Sequence, residues 1–505
     1  MPGCGNTIAA LFKGDQQKPY FSTLFQANVM RKPILILCLF CLLNLHTRAQ
    51  GKWNLKQCIA YALSNNLSVK EQDIQARLAA LTWKQSKLAQ YPAASFGSSL
   101  GMTTGRSIDR TTNLFTTQSI LFNNFNLQTG ADLYNFGAKK ATIQANHLQY
   151  EAQLAGVEKL KSDVTLHVLG AYLQVLLDSQ QTGIFQVQLN QTAAQLINTR
   201  KLVKAGLLPE LNALQLEAQL TQDSATLIEA NGTLQKSLLQ LKSVLNFDTA
   251  IPFDVDYNEK PVIVFSLAAL KPELLYATAM RLMPQQKIDS LLAKAAEKTI
   301  VSTKKSFYPT LSIGGNLQTT YSNAKNNLRL LGTTPSGYIP IGIVEGTGAK
   351  VVTPSLIPIY EYYANPYATQ LISNFGNNVG LTLSVPILNG ATARITKQKA
   401  LLNREIIQLQ QQQNDLNLQH DIYNAFVDAS NSLQALTASK KSVEATERAY
   451  ILASKRYNLG LLNLLELTTI QSKLFNSRLR QVVAEYDYIF KMKILEFYGG
   501  NRLEF

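Results

Sequence analysis

The strongest constraint on this chain is that its landmarks occur twice. Tyr91-Pro92-Ala93-Ala94-Ser95-Phe96-Gly97-Ser98-Ser99-Leu100 recurs as Tyr308-Pro309-Thr310-Leu311-Ser312-Ile313-Gly314-Gly315-Asn316-Leu317, at an offset of 217 residues. Leu133-Tyr134-Asn135 recurs as Ile387-Leu388-Asn389, and Ala205-Gly206-Leu207-Leu208 as Leu459-Gly460-Leu461-Leu462, both at an offset of 254. The difference of 37 residues fits an insertion in the Gly-, Pro- and Tyr-rich region Asn323–Asn378. The chain therefore reads as two tandem structural repeats, residues 50–250 and 251–505.

Each repeat carries two alternating segments. Phe96, Leu100 and Met102 share one face against Ser95, Gly97, Ser99 and Gly101, and Leu127, Ala131 and Leu133 oppose Gln128, Gly130 and Asp132. In the second repeat Leu311, Ile313 and Leu317 oppose Ser312, Gly314 and Asn316, and Val379, Leu381, Leu383 and Val385 oppose Gly380, Thr382 and Ser384. Period two with one apolar face is the half-buried strand pattern. It predicts strands at about 92–104 and 126–135, then at about 309–321 and 378–387, with 323–378 as a long loop. Segments of ~10 residues, apolar on one side and polar on the other, suit a transmembrane barrel. They also suit an antiparallel sheet in a soluble domain.

Long helices separate the strand pairs. Gly137 to about Val203 contains no proline, and Ile143, Tyr150, Leu154, Val157, Val164, Val168, Ala171 and Val175 follow steps of three and four residues. His147 and Lys161 interrupt that coiled-coil-like seam. Leu220, Leu227, Leu234, Leu238, Leu241 and Leu245 continue it in a following helix. At ~1.5 Å per residue, the segments from Gly137 to Val203 and from Gly390 to Tyr457 each predict a rod of roughly 100 Å.

The N-terminus reads as an export signal. Arg31 and Lys32 precede the apolar run Ile34–Leu45, and Thr47-Arg48-Ala49 offers a small residue at the cleavage position. Residues 1–49 are thus expected to be removed, with Met30 as the expected start and Gln50 as the mature N-terminus; an N-terminal membrane anchor is the competing reading. The remaining chain has 43 basic and 32 acidic residues, a net of +11. These charges are scattered rather than clustered, which reads as solvation and not as a nucleic-acid surface. Cys4, Cys38 and Cys41 precede the cleavage point, leaving Cys58 with no intrachain disulfide partner. No later apolar run reaches the ~20 residues of a transmembrane helix, so membrane entry requires a barrel. Four strands are too few to close one, because bacterial barrels start at ~8. Oligomerisation follows if the strands lie in lipid.

Trp53-Asn54-Leu55-Lys56-Gln57-Cys58, with Ala62, Asn65 and Asn66 behind it, resembles the N-terminal helix signature of the TolC-like outer-membrane efflux protein family. Tyr91-Pro92 and Tyr308-Pro309 resemble its helix-to-strand corners, and Ser384-Val385-Pro386-Ile387-Leu388-Asn389-Gly390 its strand-to-helix exit. Arg456-Tyr457-Asn458-Leu459-Gly460 is similar to its helical-hairpin tip, and Gly105-Arg106-Ser107-Ile108-Asp109 to the first external loop of Bacteroidetes-type members.

The resemblance implies an α+β membrane protein: a long antiparallel α-helical coiled-coil barrel plus four transmembrane strands per chain, closing as a homotrimer around a 12-stranded β-barrel. It implies location in the outer membrane with a periplasmic helical tunnel. The implied partners are a periplasmic adaptor (membrane fusion) protein, an inner-membrane RND or ABC transporter and outer-membrane lipid. At the periplasmic end it implies a gate. Glu466 matches a narrowing acidic position, either as a ring of three carboxylates or as a solvated glutamate, and the second acidic position falls on Thr469. Tyr457 matches a tyrosine of the closing lock; Asn212 and Leu462 replace its charged partners, leaving an Asn212–Tyr457 hydrogen bond as the expectation. Gly206, Leu207, Leu208, Gly460, Leu461 and Leu462 are candidate adaptor-docking tips, or turns packed within the chain, with Pro209 in the first turn of the next helix.

No enzymatic chemistry is legible. Gly97-Ser98-Ser99-Leu100-Gly101 contains a Gly-x-Ser-x-Gly string, but inside an alternating strand rather than a strand-turn-helix elbow. His147, His167 and His420 lack metal-ligand spacing, and no phosphate-binding glycine loop is present. No catalytic, cofactor or metal residue is expected. The leading expectation is a passive efflux duct for drugs or other small molecules. A type I protein-secretion duct and, from another class, a periplasmic coiled-coil structural protein with a soluble β-head remain alternatives.

Overall fold

The computed structural model describes residues 52–108, 113, 115–117, 119–258, 263–264, 266–325 and 327–500. The expected signal segment 1–49, with Met30 and the first three cysteines, lies outside the described residues, as do Gln50 and Asp109. The chain divides into two units. Of the smaller, residues 52–53 and 252–255 are described. Within it the Trp53 N–H donates to the Asp254 carbonyl at 3.0 Å, and the Trp53 and Phe253 rings lie 5.5 Å apart.

The larger unit, residues 54–251 with 256–505, begins with α1 (Leu55–Asn65) and α2 (Leu67–Leu88). Asn54 and Gln57 form a reciprocal capping box that fixes the start of α1, and Cys58 is buried inside that helix. There follow β1 (Ala93–Thr103), the short strands β2 (Ser107–Ile108) and β3 (Phe115–Thr116), and β4 (Ile120–Tyr134). The helices α3 (Ala138–Lys204) and α4 (Glu210–Leu245) form the first hairpin. After α5 (Pro272–Leu282) and α6 (Pro284–Lys305) come β5 (Thr310–Ser322), β6 (Asn327–Ile343), β7 (Lys350–Tyr363), α7 (Tyr367–Ser373) and β8 (Gly376–Ser384). The second hairpin is α8 (Thr392–Asn458) and α9 (Leu464–Tyr498).

One antiparallel sheet takes the order β1-β4-β5-β8. Three features differ from the sequence expectation. β4 starts at Ile120 rather than near 126: Asn123 and Asn124 break the apolar alternation there, but pairing of Thr103 with Ile120 and Met102 with Leu121 carries the strand outward. β8 stops at Ser384 rather than near 387, where Pro386 brings no N–H to a ladder. The segment 323–378 is not one long loop; it holds the β6–β7 hairpin and α7. Prolines and glycines mask its alternation from a sequence scan.

α3 and α8 each run for 67 residues, about 100 Å of helix. Val157, Val164, Val168 and Val175 of the expected seam are buried, whereas Leu154 is exposed. Ala141, Ala145, Ala152 and Ala155 form a second buried row in α3, small enough to bring neighbouring helices close. Gly170 works the same way: the Phe490 ring lies 3.4 Å from where a Cβ would sit. In α8, by contrast, Leu402, Ile406, Leu409 and Leu416 remain exposed.

Both long helices are entered through two consecutive left-handed residues, Phe136 and Gly137 (φ 52° and 78°) and Gly390 and Ala391 (φ 59° and 62°). The pair recurs at the same 254-residue offset as the flanking motifs. Glycine occupies a different member of the pair each time, so the backbone geometry repeats more closely than the residues do.

Candidate functional site

The sheet sorts most of its side chains by face, with Ser98, Asn123 and Asn377 as polar members of the apolar side. Cross-strand partners lie on one face: the row Phe96–Leu127–Leu317 is apolar up to β8, where Asn377 ends it, and Ala131–Ile313–Leu381 and Leu311–Leu383 are apolar throughout. Nothing among the described residues covers this face: Phe96, Leu100, Met102, Val379, Leu381 and Leu383 are each more than 60% exposed. Opposite it, Ser95–Gln128–Asn316–Asn378 forms a polar row, and Ala93–Gly130–Gly314–Gly380 forms a row almost without side chains. The polar face is concave and partly encloses about 800 Å³.

Aromatic residues mark both ends of the apolar face. At the helix end, Phe136 lies 4.9 Å from Tyr134 and 5.0 Å from Tyr308, and Tyr91 and Phe307, which precede β1 and β5, are exposed. At the far end, Tyr321 lies 4.7 Å from Tyr367, whose hydroxyl accepts from Asn123 Nδ2 at 3.0 Å.

The two outer strands, β1 and β8, each have one partner among the described residues. Beyond the end of β8, α7 finishes the edge of β5. The buried Gln370 side chain accepts from the Ser322 N–H at 3.0 Å through Oε1 and donates to the Ser322 carbonyl at 2.8 Å through Nε2. One amide thus takes the place of a missing strand residue. Asn374 Nδ2 donates similarly to the Thr320 carbonyl at 2.8 Å.

The hairpin tips lie at the other ends of the helices. α3 and α8 end in matching Schellman turns. Gly206 donates to the Val203 carbonyl and Leu207 to Leu202, both at 2.9 Å; Gly460 donates to Tyr457 and Leu461 to Arg456, also at 2.9 Å. Gly206 and Gly460 both have φ of 74°, the left-handed region in which a Cβ is costly. The next helices then start differently. Pro209 is the N-cap, one residue ahead of the first-turn position expected for it, whereas Asn463 caps α9 by accepting the Glu466 N–H at 2.8 Å.

Leu196, Ala213, Leu216, Ala453, Tyr457, Leu464 and Leu467 form one core joining the two tips, with Leu208 and Leu462 packed against it. Leu207 and Leu461 point away from that core and are 70% and 65% exposed. The four candidate docking leucines therefore split into two that pack and two that are free. Leu211, Leu214, Leu459 and Leu465 are also exposed and widen the apolar rim; their leucine-rich spacing was the available signal for them.

Tyr457 does not meet Asn212 within the chain. Its hydroxyl shares a hydrogen bond with Thr199 Oγ1 at 3.0 Å, and both residues are buried. The side chain of Asn212 makes no hydrogen bond among the described residues, while its backbone N–H donates to the Pro209 carbonyl. Nothing in the sequence singles out Thr199, one hydroxyl near the C-terminal end of a long helix. Glu466 is exposed in the first turn of α9, where the helix dipole favours a carboxylate. Thr469, one turn on, is exposed and donates its hydroxyl to the Leu465 carbonyl at 2.7 Å.

Near the middle of the helical region, Leu275, Ala279, Met283, Ile422, Met492 and Leu495 anchor a second core. Burial pushes the nearby Tyr498 hydroxyl up to about 12, reinforced by Asp421 and Asp163. Burial also raises Asp415; a bond from Gln286 lowers it and the neighbouring Asp289 raises it further. No group of metal-ligating side chains occurs among the described residues.

The sequence model of the outer membrane efflux protein family matches residues 58–246 and 291–496. No curated protein sequence matches. Among solved structures, the outer-membrane channel OprN superposes with a TM-score of 0.69 at 17% identity, covering 89% of this chain and 91% of that one. The Campylobacter jejuni CmeC outer membrane channel gives 0.69 at 16% identity, covering 88% and 85%. The outer membrane protein VceC from Vibrio cholerae gives 0.67 at 14% identity, covering 89% and 97%. At these identities the likeness is one of fold.

Proposed function

The chain belongs to the outer membrane efflux protein family, and from that premise we propose that three copies form a passive exit duct for drugs or other small molecules, completing an efflux pump. Each copy contributes four strands to a twelve-stranded barrel in the outer membrane and two helical hairpins to a periplasmic tunnel. The observation that carries the reading is a sheet that has, among the described residues, an uncovered apolar face, a polar concave face and two unpaired edges. In lipid, the nine residues of β8 would leave roughly four N–H and four C=O groups bare, each costing several kcal/mol. Pairing β8 of one copy with β1 of the next removes that cost at every junction. The exposed leucines of α8 support the same assembly, since a neighbouring helix would cover them.

Side chains then have separate tasks. The apolar rows face lipid between two aromatic bands, and the Ser95, Gln128, Asn316 and Asn378 row lines the bore. Three copies of Glu466 ring the tunnel entrance and favour cations. Exposed Leu207 and Leu461 dock a periplasmic adaptor, through which an inner-membrane transporter supplies the energy.

The test is purification from outer membranes, measurement of mass in detergent and recording in planar bilayers. A trimer that conducts, together with drug hypersensitivity on deletion of the gene, is the expected result. A water-soluble monomer would overturn the reading. Loss of a secreted protein with unchanged drug susceptibility would assign the duct to protein export instead.

A further inference from the structure

The hairpin β6–β7 is long, apolar and uncovered. Residues 330–344 and 351–360 contain no charged side chain. Charge is confined to its root, where Arg329 pairs with Glu361 at 2.7 Å, and to its turn, with Glu345 and Lys350. Leu330, Tyr338, Ile341, Leu356, Ile357 and Tyr360 are between 54% and 74% exposed. A two-stranded ribbon is marginal in water by itself, and one with this much bare apolar surface requires a cover.

We infer that this cover is the same hairpin of neighbouring copies, packed face to face beyond the end of the barrel. The inference rests on the trimeric reading above. Three observations select this occupant. First, Pro335 and Pro340 of β6 and Pro354 and Pro358 of β7 lie within the ladder. A proline is accommodated there only where its nitrogen turns away from the partner strand or at a bulge. Each outer edge therefore lacks a donor at its two prolines, and β6 is further broken by register shifts at 330/332, 335/338 and 340/342. Addition of another strand at either edge is blocked, leaving the faces. Second, lipid is a poor cover, because the remaining edge carbonyls and N–H groups have no strand partner among the described residues and would be bare in hydrocarbon. Third, the root is held in place. Gln370 binds both Ser322 and, through Nε2 at 2.8 Å, the Asn365 carbonyl. This fixes the base of the hairpin beside β8, the edge at which the next copy joins. Three such roots at one mouth give the hairpins a high effective concentration for one another.

The experiment uses the full chain in a Cys58→Ala background, with single substitutions Tyr338→Cys and Ile341→Cys on the hairpin and Thr347→Cys in its exposed turn as a reference. In the purified trimer, mild oxidation is expected to link copies through position 338 or 341. A polar maleimide is expected to label those positions more slowly than 347. A second variant, replacing 328–362 with a short Gly-Ser link, is expected to remain a conducting trimer with a lowered dissociation temperature. A trimer whose hairpin cysteines label as fast as position 347 and do not cross-link overturns the inference and leaves the channel reading intact. Protection that appears only in liposomes assigns the surface to lipid, and cross-linking in cells to a different protein assigns it to that partner; either overturns it. A monomeric chain overturns both readings.

Discussion

The buried contact between Tyr457 and Thr199 separates two accounts of the tip. Tyr457→Phe removes one neutral O–H···O bond of 3.0 Å, worth about 1 kcal/mol net. Thr199 can turn its hydroxyl to the carbonyl of Gln195 one turn back in its own helix, which holds the cost near or below that value. Thr199→Val is the harsher change. It strands a phenol that is only 8% exposed, a penalty of roughly 1–3 kcal/mol. The double variant removes both polar groups together and costs less than the sum, with a coupling of about 1 kcal/mol. Global melting is a blunt assay here, since a domain of this size shifts by only on the order of 1 °C per kcal/mol. Local hydrogen exchange is sharper, because 1 kcal/mol is a factor of ~5 in an opening equilibrium. Peptides covering the start of α9 and the end of α8 should exchange several-fold faster in Thr199→Val, less so in Tyr457→Phe, and stay unchanged in Asn212→Ala. If Asn212→Ala and Tyr457→Phe instead prove coupled while Thr199→Val is silent, the tyrosine pairs with Asn212 in the assembled protein and the reasoning fails.

Ala391→Gly should raise the denaturant midpoint, because a left-handed alanine costs ~1–2 kcal/mol that glycine avoids; Phe136→Gly should not, since it also removes the ring between Tyr134 and Tyr308. Leu381→Arg places a charge on the uncovered apolar face and should cost about 2–4 kcal/mol of membrane assembly, read as lost trimer in outer-membrane fractions. Gln128→Arg, on the polar face, should assemble normally and shift the reversal potential toward anions. The raised Asp415 carboxyl favours the fold when protonated, and that contribution is lost as pH rises from the ordinary carboxylate range through the raised value. Asp415→Asn should therefore melt higher than the parent at neutral pH and no higher at acid pH. Glu466→Gln should reduce cation selectivity in planar bilayers; an unchanged reversal potential would leave that glutamate a solvated helix residue.

Local sequence determined the kind of elements and much of their extent. Alternation of Val379, Leu381 and Leu383 with Gly380 and Thr382 leaves a strand no other way to sort its faces, and the proline-free stretches from 138 to 204 and from 392 to 458 leave a helix uninterrupted. Glycine at 206 and 460 marked the turns, because a left-handed backbone is cheap for little else. Tertiary structure decided what depends on partners distant in the chain. Ile120 and Leu121 join β4 because β1 lies beside them, and Gln370 becomes a strand substitute because α7 sets it against Ser322. Two of four tip leucines pack inward only because the hairpins meet there, and Tyr457 finds Thr199, 258 residues away. The physical reason is the range of the interaction. Hydrophobic period and backbone preference are properties of neighbouring residues and can be read in order, whereas register, edge completion and a single buried hydroxyl pair are settled by packing between distant segments.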